Sequence, residues 1–297
     1  MKKILNVLLS ILKNWTMNNT ICLLVVLSFI SCTENGKANY EGIKLSKVID
    51  EGIKNPECVF YDKDTESLFV SNVNGGTLEL NGKGYISQMS MYGETLNAKL
   101  DVHLDAPKGV YVNNGLIYIA DINRIVIHDM LNNEADRVIV LNDAKSLNDI
   151  VVDDSGRIFV SDFHANILFV VSEESISALN IQSPNGLYIY ENHLYVGTFQ
   201  EETNGHIYRI NLSEKDMVCE SFLQGFGSCD GLYIDSEIIV MSDYNTSLKV
   251  IDKEEMEIIA TVVGGEGRSY GDFHYSSLGI VSPSMKSSQI HFLEVSD

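Results

Sequence analysis

Six residues, Glu57, Lys108, Asn148, Asn185, Asp230 and Gly271, each open one of six similar stretches of the chain. Four of them carry a side-chain oxygen. If the stretches are repeats of one unit, those side chains converge, and two carboxylates with two amide carbonyls form an oxygen-rich pocket. Hard divalent cations such as Ca²⁺ or Mg²⁺ take oxygen ligands from Asp, Glu and Asn. Asn and Asp before a strand also make turns and cap backbone groups, which accounts for any one of them singly. Four at one repeated position are harder to attribute to turns. Lys108 brings a positive charge to the same place, either to pair with Glu57 or Asp230 or to meet an anionic substrate. The ion pair is the commoner role for such a group.

The elements that must position these residues are strands. After each of the six comes an apolar strand, a turn, and a second strand ending in a small residue and a polar one. These endings include Val70-Ser71-Asn72, Ile119-Ala120-Asp121, Val160-Ser161-Asp162, Val196-Gly197-Thr198 and Met241-Ser242-Asp243, with a weaker sixth around Val281-Ser282-Pro283. Third strands are expected at 84–91, 123–130, 165–172, 205–212, 246–253 and 288–295. Fourth strands are expected near 95–102, 136–141, 176–181, 217–223 and 257–263. Period-two alternation and β-branched or aromatic enrichment support strands throughout. Unit lengths near 40–45 residues match a four-stranded propeller blade. The chain therefore reads as all-β, a six-bladed β-propeller with four-stranded blades over 42–297. The sixth unit stops after its third strand, so residues 42–49 are expected to supply its outer strand and close the ring.

The chain has 297 residues, 45% of them hydrophobic, and a net charge of −20. An acidic surface of this kind repels phosphate backbones, so nucleic acid is an unfavourable partner. Lys2, Lys3 and Lys13 precede the apolar run Ile21 to Ile30, an export-signal pattern too short to span a membrane comfortably. Phe29-Ile30-Ser31-Cys32 resembles the lipobox of bacterial lipoproteins. On that reading residues 1–31 are a signal peptide, Cys32 is lipidated, and 32–41 are a tether. The protein would then be an exported, membrane-anchored lipoprotein. An ordinary cleaved signal or an uncleaved anchor is the alternative. Cys58, Cys219 and Cys229 are expected as buried reduced thiols, with one Cys219–Cys229 bridge the alternative.

The order Pro56-Glu57, Leu147-Asn148-Asp149, Pro184-Asn185-Gly186 and Cys229-Asp230-Gly231 resembles the gluconolactonase and regucalcin (senescence marker protein) family over about residues 50–295. The resemblance implies a six-bladed propeller with one divalent cation in its channel, Ca²⁺ before Mg²⁺, Mn²⁺ or Zn²⁺. It implies Glu57, Asn185 and Asp230 as metal ligands, Asp230 and Asn148 as catalytic residues, and Asn148 with Lys108 as substrate contacts. The implied activity is hydrolysis of a sugar lactone or related ester by a monomer. Ser146 stands where the family often has Arg, and Phe60 where a Trp is usual, so the substrate contacts differ. A non-catalytic small-ligand or metal-binding propeller and a protein-interaction scaffold are the rival readings. Residues 73–83 and 199–205 form long loops expected to flank the pocket, and His164 and His206 lie in or beside such loops. No Gly-x-Ser-x-Gly elbow, Walker loop or His-Glu-x-x-His motif is present.

Overall fold

The computed structural model describes residues 42–132, 136–200, 205–244, 247–264, 268–276 and 279–296. The signal segment, the tether with Cys32, and Glu201 and Glu202 lie outside the described residues. The outer closing strand is β1 (Gly42–Ile49). The first blade is β2 (Pro56–Asp62), β3 (Ser67–Asn72), β4 (Tyr85–Ser90) and β5 (Thr95–Asn97). The second is β6 (Pro107–Asn113), β7 (Leu116–Asp121), β8 (Arg124–Asp129) and β9 (Arg137–Val140). The third is β10 (Leu147–Val152), β11 (Ile158–Asp162), β12 (Ile167–Val171) and β13 (Ile176–Asn180). The fourth is β14 (Pro184–Tyr190), β15 (His193–Thr198), β16 (His206–Asn211) and β17 (Glu220–Gln224). The fifth is β18 (Leu232–Ile234), β19 (Ile238–Asp243), β20 (Ser247–Asp252) and β21 (Glu257–Val263). The sixth holds β22 (His274–Ser276), β23 (Gly279–Ser284) and β24 (Gln289–Ser296), with β1 on its outer edge.

These six four-stranded antiparallel sheets form the six-bladed propeller that the repeat implied. β1 pairs with β24 from Gly42↔Ser296 to Ile49↔Ile290, as the missing outer strand required. Turn chemistry supports the blades locally. Asn114 and Gly115 both take positive φ, 51° and 78°, between β6 and β7. That is the backbone of a two-residue hairpin, and Asn-Gly adopts it at low cost.

The core lies between blades. Six apolar clusters each draw buried residues from two neighbours. Phe69 and Ile86 of the first blade meet Val110 and Ile117 of the second. Val281 and Ile290 of the sixth meet Val59 and Leu68 of the first. Burying one face of each sheet against the next is the driving force, at about 25 cal/mol per Å² of apolar surface.

The repeated sequence signature has a hydrogen-bonding cause. In four blades the polar residue ending the second strand accepts from the loop that leads into the inner strand. Lys54 N–H donates to Asn72 Oδ1 (2.9 Å) and Ala106 N–H to Asp121 Oδ1 (2.8 Å). Ser146 N–H donates to Asp162 Oδ2 (2.8 Å) and Ser269 N–H to Ser284 Oγ (3.1 Å). The small residue before it is often Ser, whose hydroxyl receives the amide one past the opening residue: Cys58 N–H to Ser71, Asp149 N–H to Ser161, and Gly231 N–H to Ser242. In the first and third blades those amides are free for a serine because the register shifts at the start of β2 and β10, as it also does at β6 and β14. Such a bulge re-aims side chains. In the fifth and sixth blades the opening residues Asp230 and Gly271 precede the regular ladder. They are tied by Asp230 N–H to Ser242 O (2.8 Å) and Gly271 N–H to Pro283 O (3.2 Å).

The fourth strand of the first blade is shorter than its apolar pattern predicted, ending at Asn97. The reason is that Leu100 and Val102 turn inward and join the cluster with Phe69. Among the described residues Cys58, Cys219 and Cys229 are free thiols, with Cys58 and Cys229 buried.

Neighbouring inner strands meet main chain to main chain. Asp272 N–H donates to Glu57 O (3.0 Å), and Val59 N–H to Asp272 O (2.9 Å), which joins the first blade to the sixth. A Cβ on Gly271 would stand 2.4 Å from Glu57 O, and one on Gly186 2.4 Å from Asp230 O. Gly186→Ala and Gly271→Ala are therefore each expected to lose about 1–3 kcal/mol through overpacking. Thermal melting of the two variants beside wild type checks this; unchanged midpoints would contradict the close approach.

Candidate functional site

The bulged starts of β2, β6, β10 and β14, with the segment just before β18, place the opening side chains around one cavity of about 180 Å³. Glu57, Lys108, Asn148, Asn185 and Asp230 all line it, so the five chemically active residues singled out in the sequence come together. Gly271 contributes only backbone at the sixth place. Phe163, Phe199, Tyr244 and Met285, each just past the end of a second strand, wall the cavity, and Thr77 reaches it from the longer loop after β3. Residues 73–83 thus do flank the site. His164 lies tilted against Phe163 with ring centroids 4.0 Å apart, and neither His164 nor His206 is among the lining residues.

Asn185 Nδ2 donates to Asp230 Oδ1 at 2.8 Å. Lys108 Nζ donates to Ser146 Oγ (2.6 Å) and to Leu147 O (3.2 Å). Lys108 is therefore not ion-paired with Glu57 or Asp230, contrary to the expected salt bridge. The reason is local: the bulge at the start of β10 presents a carbonyl and a hydroxyl directly to the ammonium. Ser146 thus has a definite task, holding Lys108.

Three buried oxygens at this mouth have no hydrogen-bond partner: Glu57 Oε2, Asn148 Oδ1 and Asn185 Oδ1. An unpaired buried acceptor is costly. The same Asn185 amide that fixes Asp230 through its nitrogen leaves its oxygen unpaired. This donor set fits a hard divalent cation, which would satisfy the Glu57 and Asn185 oxygens together with the Asp230 carboxylate and leave Asn148 Oδ1 facing a water or ligand beside it. No group of three or more His, Cys, Asp or Glu side chains is arranged as a metal site among the described residues. The mouth offers two carboxylates, and its other oxygens are amides, a set suited to Ca²⁺ rather than to softer metals.

The electrostatics point the same way. Burial, then repulsion from Asp230, holds the Glu57 carboxyl well above the usual range, with the Lys108 charge and the Asn148 amide opposing it. Burial raises Asp230 to about 7, against the Asn185 hydrogen bond and the Lys108 charge. Burial lowers Lys108, while Glu57 and other carboxylates favour its charged form. Two further carboxylates lie one place past the opening residues, and reading the openings alone passed over them. Asp149 is raised to about 7 by burial, against hydrogen bonds from the Leu187 and Ile150 amides. Asp272 is pushed well up by burial and by Asp149. Their signal was present in sequence, since three of the other four residues at this place are Gly109, Gly186 and Gly231. The blank opening at Gly271 drew attention away from its neighbour.

The class that the fold defines is a six-bladed β-propeller with a carboxylate- and amide-lined channel mouth. No protein-family model and no curated protein sequence matches the chain. Solved structures do match in fold. A catalytically inactive virginiamycin B lyase from Staphylococcus aureus, solved with quinupristin, superposes with a TM-score of 0.57 at 12% identity. The match covers 86% of this chain and 100% of that one. The β-propeller domain of Myceliophteria thermophila Cps50 (Swd1) gives a TM-score of 0.59 at 11% identity, with the same coverage. At these identities the likeness extends to the fold alone.

A carboxyl whose pKa is higher folded than unfolded stabilises the protein most below the unfolded value, near 4. That contribution is lost as pH rises through the folded value, about 7 for Asp230. In the presence of EDTA, Asp230→Asn is therefore expected to raise the melting temperature relative to wild type by more at pH 8 than at pH 5. An equal difference at the two pH values would contradict the buried, charged Asp230.

Proposed function

We propose that the channel mouth binds one divalent cation, Ca²⁺ in the first instance, and hydrolyses a lactone or related ester there. The observation that carries the reading is the set of three unpartnered buried oxygens converging with Asp230 in one cavity. The order of the motifs, which resembles the gluconolactonase and regucalcin family, supports it. Glu57, Asn185 and Asp230 would hold the cation, and the bound cation would polarise the substrate carbonyl as a Lewis acid. Asp230, fixed by Asn185, draws the proton from the attacking water or orients that water. Asn148 holds the water or a substrate hydroxyl through its unpaired oxygen. Lys108 stays clasped by Ser146 and Leu147, where its charge offsets the paired carboxylates and stands ready for an oxyanion. Phe163, Phe199 and Tyr244 give the substrate ring an apolar wall. With Cys32 acylated, the propeller would work at a membrane surface on exported small molecules.

One observation favours the rival, a non-catalytic ligand-binding propeller. Ser146, in the place where the resembling family often carries Arg, is occupied by Lys108, so the mouth has few free donors for a sugar. Metal content and hydrolysis of a panel of aldonolactones decide between the two, with Ca²⁺, Mg²⁺, Mn²⁺ and Zn²⁺ each supplied to wild type and Asp230→Ala. Stoichiometric metal and turnover, both lost in the variant while its circular dichroism is unchanged, are expected. Metal without turnover would favour the ligand-binding reading. Absence of metal binding in the wild type would overturn the site.

A further inference from the structure

The inner strands carry a second tier of side chains that the mouth does not use. Three places past the opening residues stand Phe60, Tyr111, Val151, Tyr188, Tyr233 and His274, aromatic in every blade except the third. Their rings contact one another across blades, Phe60 and Tyr111 at 5.1 Å and Tyr188 and Tyr233 at 5.1 Å, and Tyr233 also meets Tyr275, the neighbour of His274, at 4.6 Å. They wall a second cavity, of about 310 Å³, further along the same strands.

Asp149 and Asp272 also line this cavity. Asp149 is already committed, since its Oδ1 accepts from Ile150 N–H (2.7 Å) and its Oδ2 from Leu187 N–H (2.6 Å). Asp272 is different. It is 6% exposed, and neither of its carboxylate oxygens has a hydrogen-bond partner. No Lys or Arg lines the cavity, and burial keeps His274 neutral by pushing its pKa down to about 4. A buried carboxylate without a partner, set in an aromatic wall, is complementary to a cation from outside the chain.

We propose that this second cavity binds a small organic ammonium ion. Its N–H groups donate to Asp272, and its carbon skeleton lies against Phe60, Tyr111, Tyr188 and Tyr233. Aromatic faces attract such cations through their quadrupoles, most strongly where water is excluded. A bare divalent ion fits less well. It needs six or more oxygens, whereas those of Asp149 are taken and the Tyr233 hydroxyl donates to Asp235 (3.1 Å). An anion would meet two carboxylates. The volume is at the lower end of that for small-molecule sites. The net charge of −20 adds a long-range pull on cations.

The test is calorimetric titration of the whole chain with benzylammonium, beside benzyl alcohol as its neutral counterpart, at pH 8 in EDTA. Benzylammonium is expected to bind at least tenfold more tightly than the alcohol. Asp272→Asn, which keeps the side-chain shape, should abolish that preference with the melting curve still cooperative. Tyr233→Leu should weaken benzylammonium severalfold, and Asp230→Asn at the mouth should leave the preference for the ammonium in place. No preference for the ammonium would overturn the proposal, as would a preference that survives Asp272→Asn or is lost in Asp230→Asn. Without EDTA, Ca²⁺ taken up by Asp230→Asn and lost on adding Asp272→Asn would overturn it in favour of a metal.

Discussion

Six sheets can share an axis only if their inner strands approach backbone to backbone. That convergence governs the rest of the molecule. It leaves no room for a Cβ at Gly186 or Gly271, and it forces the ladder out of register where β2, β6, β10 and β14 begin. In the first and third blades the amides released by the shift are taken up by serines at the ends of second strands. The opening side chains, displaced from the normal strand alternation, point into the channel mouth. The site is thus a by-product of packing, and its chemistry depends on which residues occupy positions that packing has already aimed.

What occupies them concentrates negative charge away from water. Glu57, Asp149, Asp230 and Asp272 are buried in the channel, and among the residues lining its two cavities Lys108 is the one Lys or Arg. Burial raises the pKa of all four carboxyls. The two tiers relieve this differently. At the mouth, amides and a clasped lysine surround Glu57 and Asp230 with partial and full positive charge. In the lower tier, Asp149 relies on main-chain N–H groups, while Asp272 has aromatic faces beside it and no donor.

The blade count, the strand positions and the convergence of Glu57, Lys108, Asn148, Asn185 and Asp230 were legible in the sequence. A repeat multiplies a weak signal: one small-then-polar strand ending means little, whereas five at similar intervals, with a weaker sixth, fix a register. Even the closing strand could be placed, because the sixth unit lacked a partner. Features set by one blade's individual contacts were not legible. The inward turn of Leu100 and Val102 depends on Phe69 of the same blade and Val110 of the next. The engagement of Lys108 with Ser146 and Leu147 depends on a carbonyl that only the bulge exposes. Asp149 and Asp272 were visible as letters, but their burial follows from the glycines at the same place in three other blades.

The pairing of β1 with β24 brings the start of the described chain against its end. The outer strand of this sheet is therefore far in sequence from the other three. Until β24 is in place, β1 has nothing to pair with, and the cluster joining Val59 and Leu68 to Val281 and Ile290 cannot form. Local hairpins fold early, but the ring as a cooperative object exists only once β1 and β24 meet. Contacts this distant in sequence also make closure slow. The interval between synthesis and closure is a period in which the chain remains open enough to be threaded, captured by a chaperone or cleaved. It ends when one strand finds its partner.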